Sequence, residues 1–235
     1  MIFAANFKMN HTRASTSNYL ERLESLVPGD RMDDRVVVFP PASALMASTK
    51  HIEVGAQNAY PADKGAFTGE IGMEQLEEFG IDTVLLGHSE RREILNESQE
   101  FIAEKFRFFA QKGFNIVYCI GESLEVRERG DEAVAEYLWD EFTGIDIDYE
   151  KLVVAYEPIW AIGTGRSASV EEIAAVHAEL RKRVSAPILY GGSVNENNIA
   201  SITSIENVDG VLVGSASLDP DNFFALISRA RENRS

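Results

Sequence analysis

The chain has 235 residues and carries 22 Lys plus Arg against 38 Asp plus Glu, a formal charge of -16. That balance repels nucleic acid and anionic membranes, so neither is expected as a partner, and a phosphorylated ligand would need a local positive field. A hydrophobic fraction of 45% is ordinary for a globular protein with a sizeable core, and α/β barrels run this long as one unit, so residues 1–235 are expected to form a single domain.

Short apolar runs that read as strands recur along the chain, each followed by a stretch with helical periodicity. In order, the predicted strands are Ile2 to Ala5, Val36 to Phe39, Ile52 to Ala56, Thr83 to Leu86, Asn115 to Cys119, Leu152 to Tyr156, Ile188 to Tyr190 and Val211 to Val213. The predicted helices are Thr16 to Leu26, Pro41 to Thr49, Met73 to Phe79, Glu97 to Lys112, Leu124 to Trp139, Val170 to Val184, Asn197 to Ile202 and Pro220 to Arg231. Ser169 with Glu172 three residues later reads as a capping box, and Gly80 and Gly113 fall where helix ends take a left-handed residue. The strands are continuously apolar rather than alternating, which fits a parallel sheet covered by helices. Eight βα units favour a single closed (β/α)8 barrel of parallel strands with surrounding helices; an open doubly wound sheet has the same rhythm. Gln57 to Gly72 shows no clear periodicity and reads as a long functional or interface loop.

Cys119 is the only cysteine, so no intrachain disulfide is possible. Met1 runs straight into Ile2-Phe3-Ala4-Ala5 without the basic and apolar regions of a leader, and a cytoplasmic setting is expected.

In a barrel, the chemistry sits just after the strands. Those positions hold Asn6 and Lys8, then His88, Ser89 and Glu90, then Glu157, then Gly191-Gly192-Ser193 and Gly214-Ser215. Glu157 precedes Pro158, which biases it to extended backbone and makes it a natural general base; a surface carboxylate beside an ordinary loop is the other reading. His88 precedes a helix start, where a neutral imidazole is favoured, although a lone histidine can equally be structural. The histidines show no metal-ligand spacing, and no metal or cofactor is expected. The glycine pairs fit phosphate binding by backbone N–H groups, or simply tight turns. Cys119 reads as a small buried hydrophobe rather than a nucleophile.

Four ordered motifs resemble the triosephosphate isomerase family from end to end: Ala5-Asn6-Phe7-Lys8-Met9-Asn10, Gly87-His88-Ser89-Glu90-Arg91-Arg92, Ala155-Tyr156-Glu157-Pro158-Ile159-Trp160-Ala161-Ile162-Gly163-Thr164-Gly165 and Leu189-Tyr190-Gly191-Gly192-Ser193-Val194. The resemblance implies a cofactor-free enzyme that interconverts dihydroxyacetone phosphate and D-glyceraldehyde 3-phosphate in glycolysis and gluconeogenesis. It implies Glu157 as the proton-shuttling base, His88 as the neutral electrophile, Lys8 and Asn6 at the substrate oxygens, and Glu90 as a supporting carboxylate. Gly163, Ser193, Gly214 and Ser215 would hold phosphate, with Leu212 and Ile162 as apolar walls. Pro158 through Gly165 (Ile159, Trp160, Ala161, Ile162, Gly163 and Thr164 between them) would form a lid. A homodimer is implied too, with a loop containing Gln57, Asn58, Gly65, Phe67, Thr68, Gly69 and Glu70 reaching the neighbouring subunit near Asn6 and Lys8.

Departures from the family pattern are Phe7 for a tryptophan, Leu95-Asn96 for a Phe-Gly pair, Gly72 for a serine and Ser215 for a glycine. A serine at position 215 would be strained if the backbone there needed positive φ. The chain is also shorter than most relatives, placing deletions around Gly29 to Asp34 and Gly144 to Tyr149. The competing readings are another phosphate-binding barrel isomerase or epimerase, against which the lid motif argues, and a catalytically silent scaffold, against which Asn6, Lys8, His88 and Glu157 argue.

Overall fold

A computed structural model describes residues 1–27, 34–162 and 167–232. Eight strands, β1 (Ile2–Asn6), β2 (Arg35–Phe39), β3 (Ile52–Val54), β4 (Thr83–Leu86), β5 (Asn115–Ile120), β6 (Leu152–Tyr156), β7 (Ile188–Tyr190) and β8 (Gly210–Val213), form one sheet in the order β3-β2-β1-β8-β7-β6-β5-β4. Every pairing is parallel. The ends of that order meet through Ala56, which donates to Thr83 O at 2.9 Å and accepts from Leu85 N at 2.8 Å, so the sheet curls into a barrel.

Two cores follow from the two-residue period of the strands. Ala4, Val37, Phe39, Leu85, Val117, Cys119, Val153, Ala155, Leu189 and Leu212 point inward and fill the barrel. Their neighbours, such as Phe3, Val36, Val84, Tyr118, Val154 and Val211, point outward and pack against the helices. Both faces are therefore buried, which is why the strands read as unbroken apolar runs.

The outer layer consists of α1 (Arg13–Leu26), α2 (Met73–Glu77), α3 (Ser89–Glu93), α4 (Gln99–Gln111), α5 (Leu124–Glu128), α6 (Asp131–Asp140), α7 (Val170–Arg181), α8 (Ile199–Thr203) and α9 (Pro220–Glu232). The expected capping box opens α7: Ser169 Oγ accepts from Glu172 N, and Glu172 Oε2 accepts from Ser169 N. Gly80 and Gly113 take left-handed conformations with φ of 67° and 76° just after α2 and α4.

Two expectations are corrected, and one helix was not anticipated. The helix read over Pro41 to Thr49 is only a 3-10 turn, Ala42–Ala44, because Pro41 supplies no side-chain cap and downstream hydroxyls serve other backbone groups: Ser48 Oγ accepts from Val54 N at 2.9 Å and Thr49 Oγ1 from Ile52 N at 3.2 Å. The helix read over Leu124 to Trp139 breaks into α5 and α6 at Gly130, whose φ is 100°. The short α3 directly after His88 lacks enough length for its periodicity to stand out, and no bounds were predicted for it. The expected deletion at Gly29 to Asp34 falls, apart from Asp34, outside the described residues.

His177 on α7 is fully buried against the outer face of the barrel, its ring edge-on to Tyr156 at 6.0 Å between centroids. Its Nδ1 lies 3.0 Å from Asn207 O, a carbonyl, so Nδ1 carries the proton of the neutral ring; among the described residues Nε2 has no hydrogen-bond partner. Burial pushes its pKa down to about 4 from 6.5. The unfolded chain therefore takes up a proton below pH 6.5 that the folded chain refuses until pH 4, and stability falls as pH drops through that window. Between pH 7 and pH 5 the loss is about 2 kcal/mol. Urea unfolding at the two pH values should show His177→Gln losing correspondingly less stability than the wild type; an equal loss in both proteins would remove His177 as the cause.

Candidate active site

The inward period that builds the barrel interior also builds its mouth. Asn6 continues Ala4 on β1, Glu157 continues Val153 and Ala155 on β6, Gly191 continues Leu189 on β7, and Gly214 continues Leu212 on β8. Gly87 turns the chain at the end of β4 with a φ of 75°, which brings His88 inward despite its outward parity. Glycine at 191 is required by space, since a Cβ there would lie 2.9 Å from Glu157 Cγ. A cleft of about 520 Å³ results, lined by residues from both ends of the chain, including Asn6, Lys8, His88, Glu157, Ser193 and Ser215.

Glu157 and His88 meet on the cleft floor, with Nε2 and Oε1 3.1 Å apart. Glu157 is 2% exposed and His88 5%. The second carboxylate oxygen of Glu157 accepts from Ser89 N at 3.1 Å. Burial alone would raise the Glu157 pKa, but His88, the Ser89 amide and Lys8 together hold it below the usual carboxylate range, so the group is ionised at neutral pH. For His88, burial pushes down and the Glu157 carboxylate pushes up; the carboxylate wins and the pKa lies above its ordinary value. Glu90 N donates to His88 Nδ1 at 3.2 Å, so the proton of the singly protonated ring sits on Nε2, facing Glu157.

Lys8 adopts a φ of 51°, a left-handed conformation that costs a non-glycine residue about 1 kcal/mol or more. Its N–H donates to Asn6 Oδ1 at 2.9 Å and its carbonyl accepts from Gln57 Nε2 at 2.8 Å, which together hold the twist. The ammonium, thus aimed over the cleft, donates to Glu90 Oε1 at 2.6 Å. It supplies the local cation that the acidic chain needs for an anionic ligand.

Ser193, Gly214, Ser215, Leu212 and Ile162 also line the cleft, Gly214 directly beside the Lys8 side chain. Ser193 Oγ donates to Ala161 O at 2.6 Å, tying the strand-seven loop to the segment after Glu157. Ser215 is free of the strain considered above: it opens the 3-10 turn Ser215–Ser217 and is not among the positive-φ residues, so the departure from glycine is accommodated. Asn96, by contrast, does sit at φ 54° where the family has glycine, a conformation asparagine tolerates. Of the predicted lid, Pro158 precedes a 3-10 turn, Ile159–Ala161, and Ile162 reaches the cleft; Gly163, Thr164 and Gly165 lie outside the described residues.

In the predicted interface loop, Gln57 and Asn58 are anchored inward, Asn58 Oδ1 accepting from the buried Lys105 Nζ at 2.8 Å. Gly65, Phe67, Thr68, Gly69 and Glu70 are exposed, with Phe67 stacked on Tyr60 at 4.0 Å between ring centroids. Cys119 is buried inside the barrel, and burial, then the Glu157 charge, push its thiol pKa up, as expected of an inert residue.

Sequence reasoning missed a buried polar cluster beside the 3-10 turn Ile159–Ala161. Glu122, fully buried, accepts at Oε1 from Arg127 Nη2 at 2.6 Å, from Tyr156 OH at 3.1 Å and from Trp160 Nε1 at 2.9 Å. The adjacent Gly121-Glu122 turn after β5 was the available signal, since a carboxylate directly after a buried strand needs a partner. Among the described residues, no group of three or more His, Cys, Asp or Glu is arranged to hold a metal ion.

The triosephosphate isomerase family profile matches residues 1–230. A triosephosphate isomerase of Sulfurovum sp. is 60% identical over 227 residues, covering 97% of this chain and 99% of that protein. Those of Nitratiruptor sp. and Wolinella succinogenes are 56% and 55% identical, covering 100% and 97% of this chain and the full length of each relative.

The Glu157 charge is what lifts the His88 pKa, so Glu157→Gln should lower it. Following the ring nitrogens of His88 by NMR across pH 4 to 8 (a range of roughly two units either side of the ordinary value) should show the midpoint falling in the variant. A midpoint that stays put or rises would mean the pair is not electrostatically coupled.

Proposed function

The chain belongs to the triosephosphate isomerase family, aldose–ketose isomerases that interconvert dihydroxyacetone phosphate and D-glyceraldehyde 3-phosphate in glycolysis, and from this premise we propose how its residues carry the reaction. Glu157 removes a proton from the hydroxymethyl carbon of dihydroxyacetone phosphate. The electron pair left behind forms the enediolate; the carried proton returns to the adjacent, former carbonyl carbon, while the hydroxyl proton on the first oxygen passes by way of His88 to the second, leaving an aldehyde at the first carbon and a hydroxyl at the second. His88 donates its Nε2–H to the enediolate oxygens, and Lys8 and Asn6 stabilise the same charge from the rim. Substrate entering between Glu157 and His88 takes away the carboxylate contact that raises the His88 pKa, and the Glu90 backbone N–H at Nδ1 then opposes a second proton, which suits a neutral donor. Glu90 itself positions Lys8 through their ion pair. Backbone amides of Gly163, Ser193, Gly214 and Ser215 take the phosphate, Leu212 and Ile162 wall it, and the lid from Pro158 to Gly165 excludes water while the enediolate exists.

The observation that carries this reading is the buried Glu157 carboxylate 3.1 Å from His88 Nε2 at the floor of a cleft whose rim holds Lys8. Glu157→Gln should lower turnover by about a thousandfold, the scale of a lost general base, with the fold intact. Turnover in D2O should place deuterium in the product. Wild-type-like turnover in the variant ends the assignment. Lys8→Met should weaken inhibition by inorganic phosphate, and an unchanged inhibition constant would remove Lys8 from the phosphate field.

We further propose a homodimer acting as one catalytic domain per chain, residues 1–235, in the cytoplasm, with the reverse flux serving gluconeogenesis. Met9 at 95% exposure, Ile94 at 70%, Leu95 at 59% and Phe67 at 41% are large apolar side chains left on the surface, and they support a covered face. Phe67→Asp should shift the mass in sedimentation from two chains to one and reduce activity at low protein concentration. A fully active wild-type monomer would overturn the dimer.

A further inference from the structure

Behind the Glu157–His88 pair lies a second buried ion pair that the mechanism leaves unused. Glu141, the C-cap of α6, is 7% exposed, and its carboxylate points back toward the barrel mouth. Its Oε2 accepts from Gly121 N at 2.8 Å, and its Oε1 lies 3.4 Å from Arg92 Nε. Each partner touches one half of the active pair. Gly121 packs so tightly on the Glu157 backbone that an added Cβ would sit 1.7 Å from Glu157 O, and Glu157 N donates to Ile120 O at 2.7 Å. Arg92 donates from Nε to Gly87 O at 2.7 Å, the residue whose positive φ turns His88 inward, and from Nη2 to Cys119 O at 3.3 Å. One carboxylate thus ties together the tips of β4 and β5 and bears on the tip of β6.

We propose that Glu141 is a positioning residue for isomerisation: ionised, it holds Arg92 and the Gly121 amide so that His88 and Glu157 keep their mutual geometry. A displacement of the order of 1 Å at such a pair costs up to about a hundredfold in rate, so a tether one residue removed has leverage on kcat without touching substrate. The titratable and charged groups facing this carboxyl are Arg92 from α3, Tyr118 and Cys119 from β5, Glu122 from the following loop, Tyr137 from α6 and Glu157 just after β6. Burial raises its pKa to about 7 against the pull of Arg92 and the Gly121 amide, with Glu157 and Glu122 adding to the rise. The tether is therefore charged above neutral pH and uncharged below it.

The inference rests on the assignment of Glu157 and His88 above. Glu141→Gln imitates the protonated carboxyl, keeping an oxygen for Gly121 N–H and losing the charge for Arg92. Measured from pH 6 to pH 8.5, its kcat relative to wild type should be about one at the acid end and about one tenth at the alkaline end, with KM for glyceraldehyde 3-phosphate nearly constant. A ratio that does not change with pH, or a loss that appears only in KM, would overturn the proposal. Glu141→Leu, which removes the amide's partner as well, should lower kcat at every pH; if it does not fold, Glu141→Gln alone decides. Glu157→Gln is the control that separates the two readings. An active control sinks the base assignment itself, whereas an inactive control beside a Glu141→Gln protein that matches wild type sinks only the tether.

Discussion

A carboxylate stripped of water stays charged only where donors replace the solvent it has lost, and Glu157 is such a group. It keeps its charge because His88 and the Ser89 amide converge on its two oxygens and Lys8 adds a field from above. His88 and Ser89 arrive from the tip of β4 and Lys8 from the tip of β1, so the ionisation state of one residue on β6 depends on how the barrel brings three strand tips together. The inward parity of β6, the left-handed turn at Gly87 and the missing side chain at Gly191 are all conditions on that single charge.

The same economy governs the rim. An acidic chain of net charge -16 presents a cation at the cleft through Lys8, held in an unfavourable backbone conformation by Asn6 and Gln57. Strain at this point is offset by hydrogen bonds from β1 and from the loop after β3, which is also the loop proposed to cross into a second subunit.

Much of this was legible in the residue string. The eight strands fall within a residue or two of their expected bounds because both faces are apolar, and the mouth residues follow from strand tips alone. Asn6, Lys8, His88 and Glu157 converge as expected, since each ends or follows a strand of one parallel barrel. The cluster of Glu122, Arg127, Tyr156 and Trp160 was hidden, as was the Arg92–Glu141 pair, because their meaning lies in contacts between elements that are far apart along the chain. Local competition hid the rest. Nothing in the hydrophobic period around Leu45 announces that Ser48 and Thr49 spend their hydroxyls on β3, and a lone Gly130 inside an otherwise helical pattern does not declare whether it bends or breaks.

The barrel has a seam. β5 and β6 are joined along five paired residues, while the ring between β3 and β4 is completed by Ala56 alone. Among the described residues the ladder is thus thinnest between β3 and β4, one bridge against the two paired residues of β7 and β8. Gln57, which braces Lys8, follows that rivet directly, and His88 and Ser89, which hold the Glu157 carboxylate, follow β4 on its other side, so the supports of both charges border the thinnest joint of the ring.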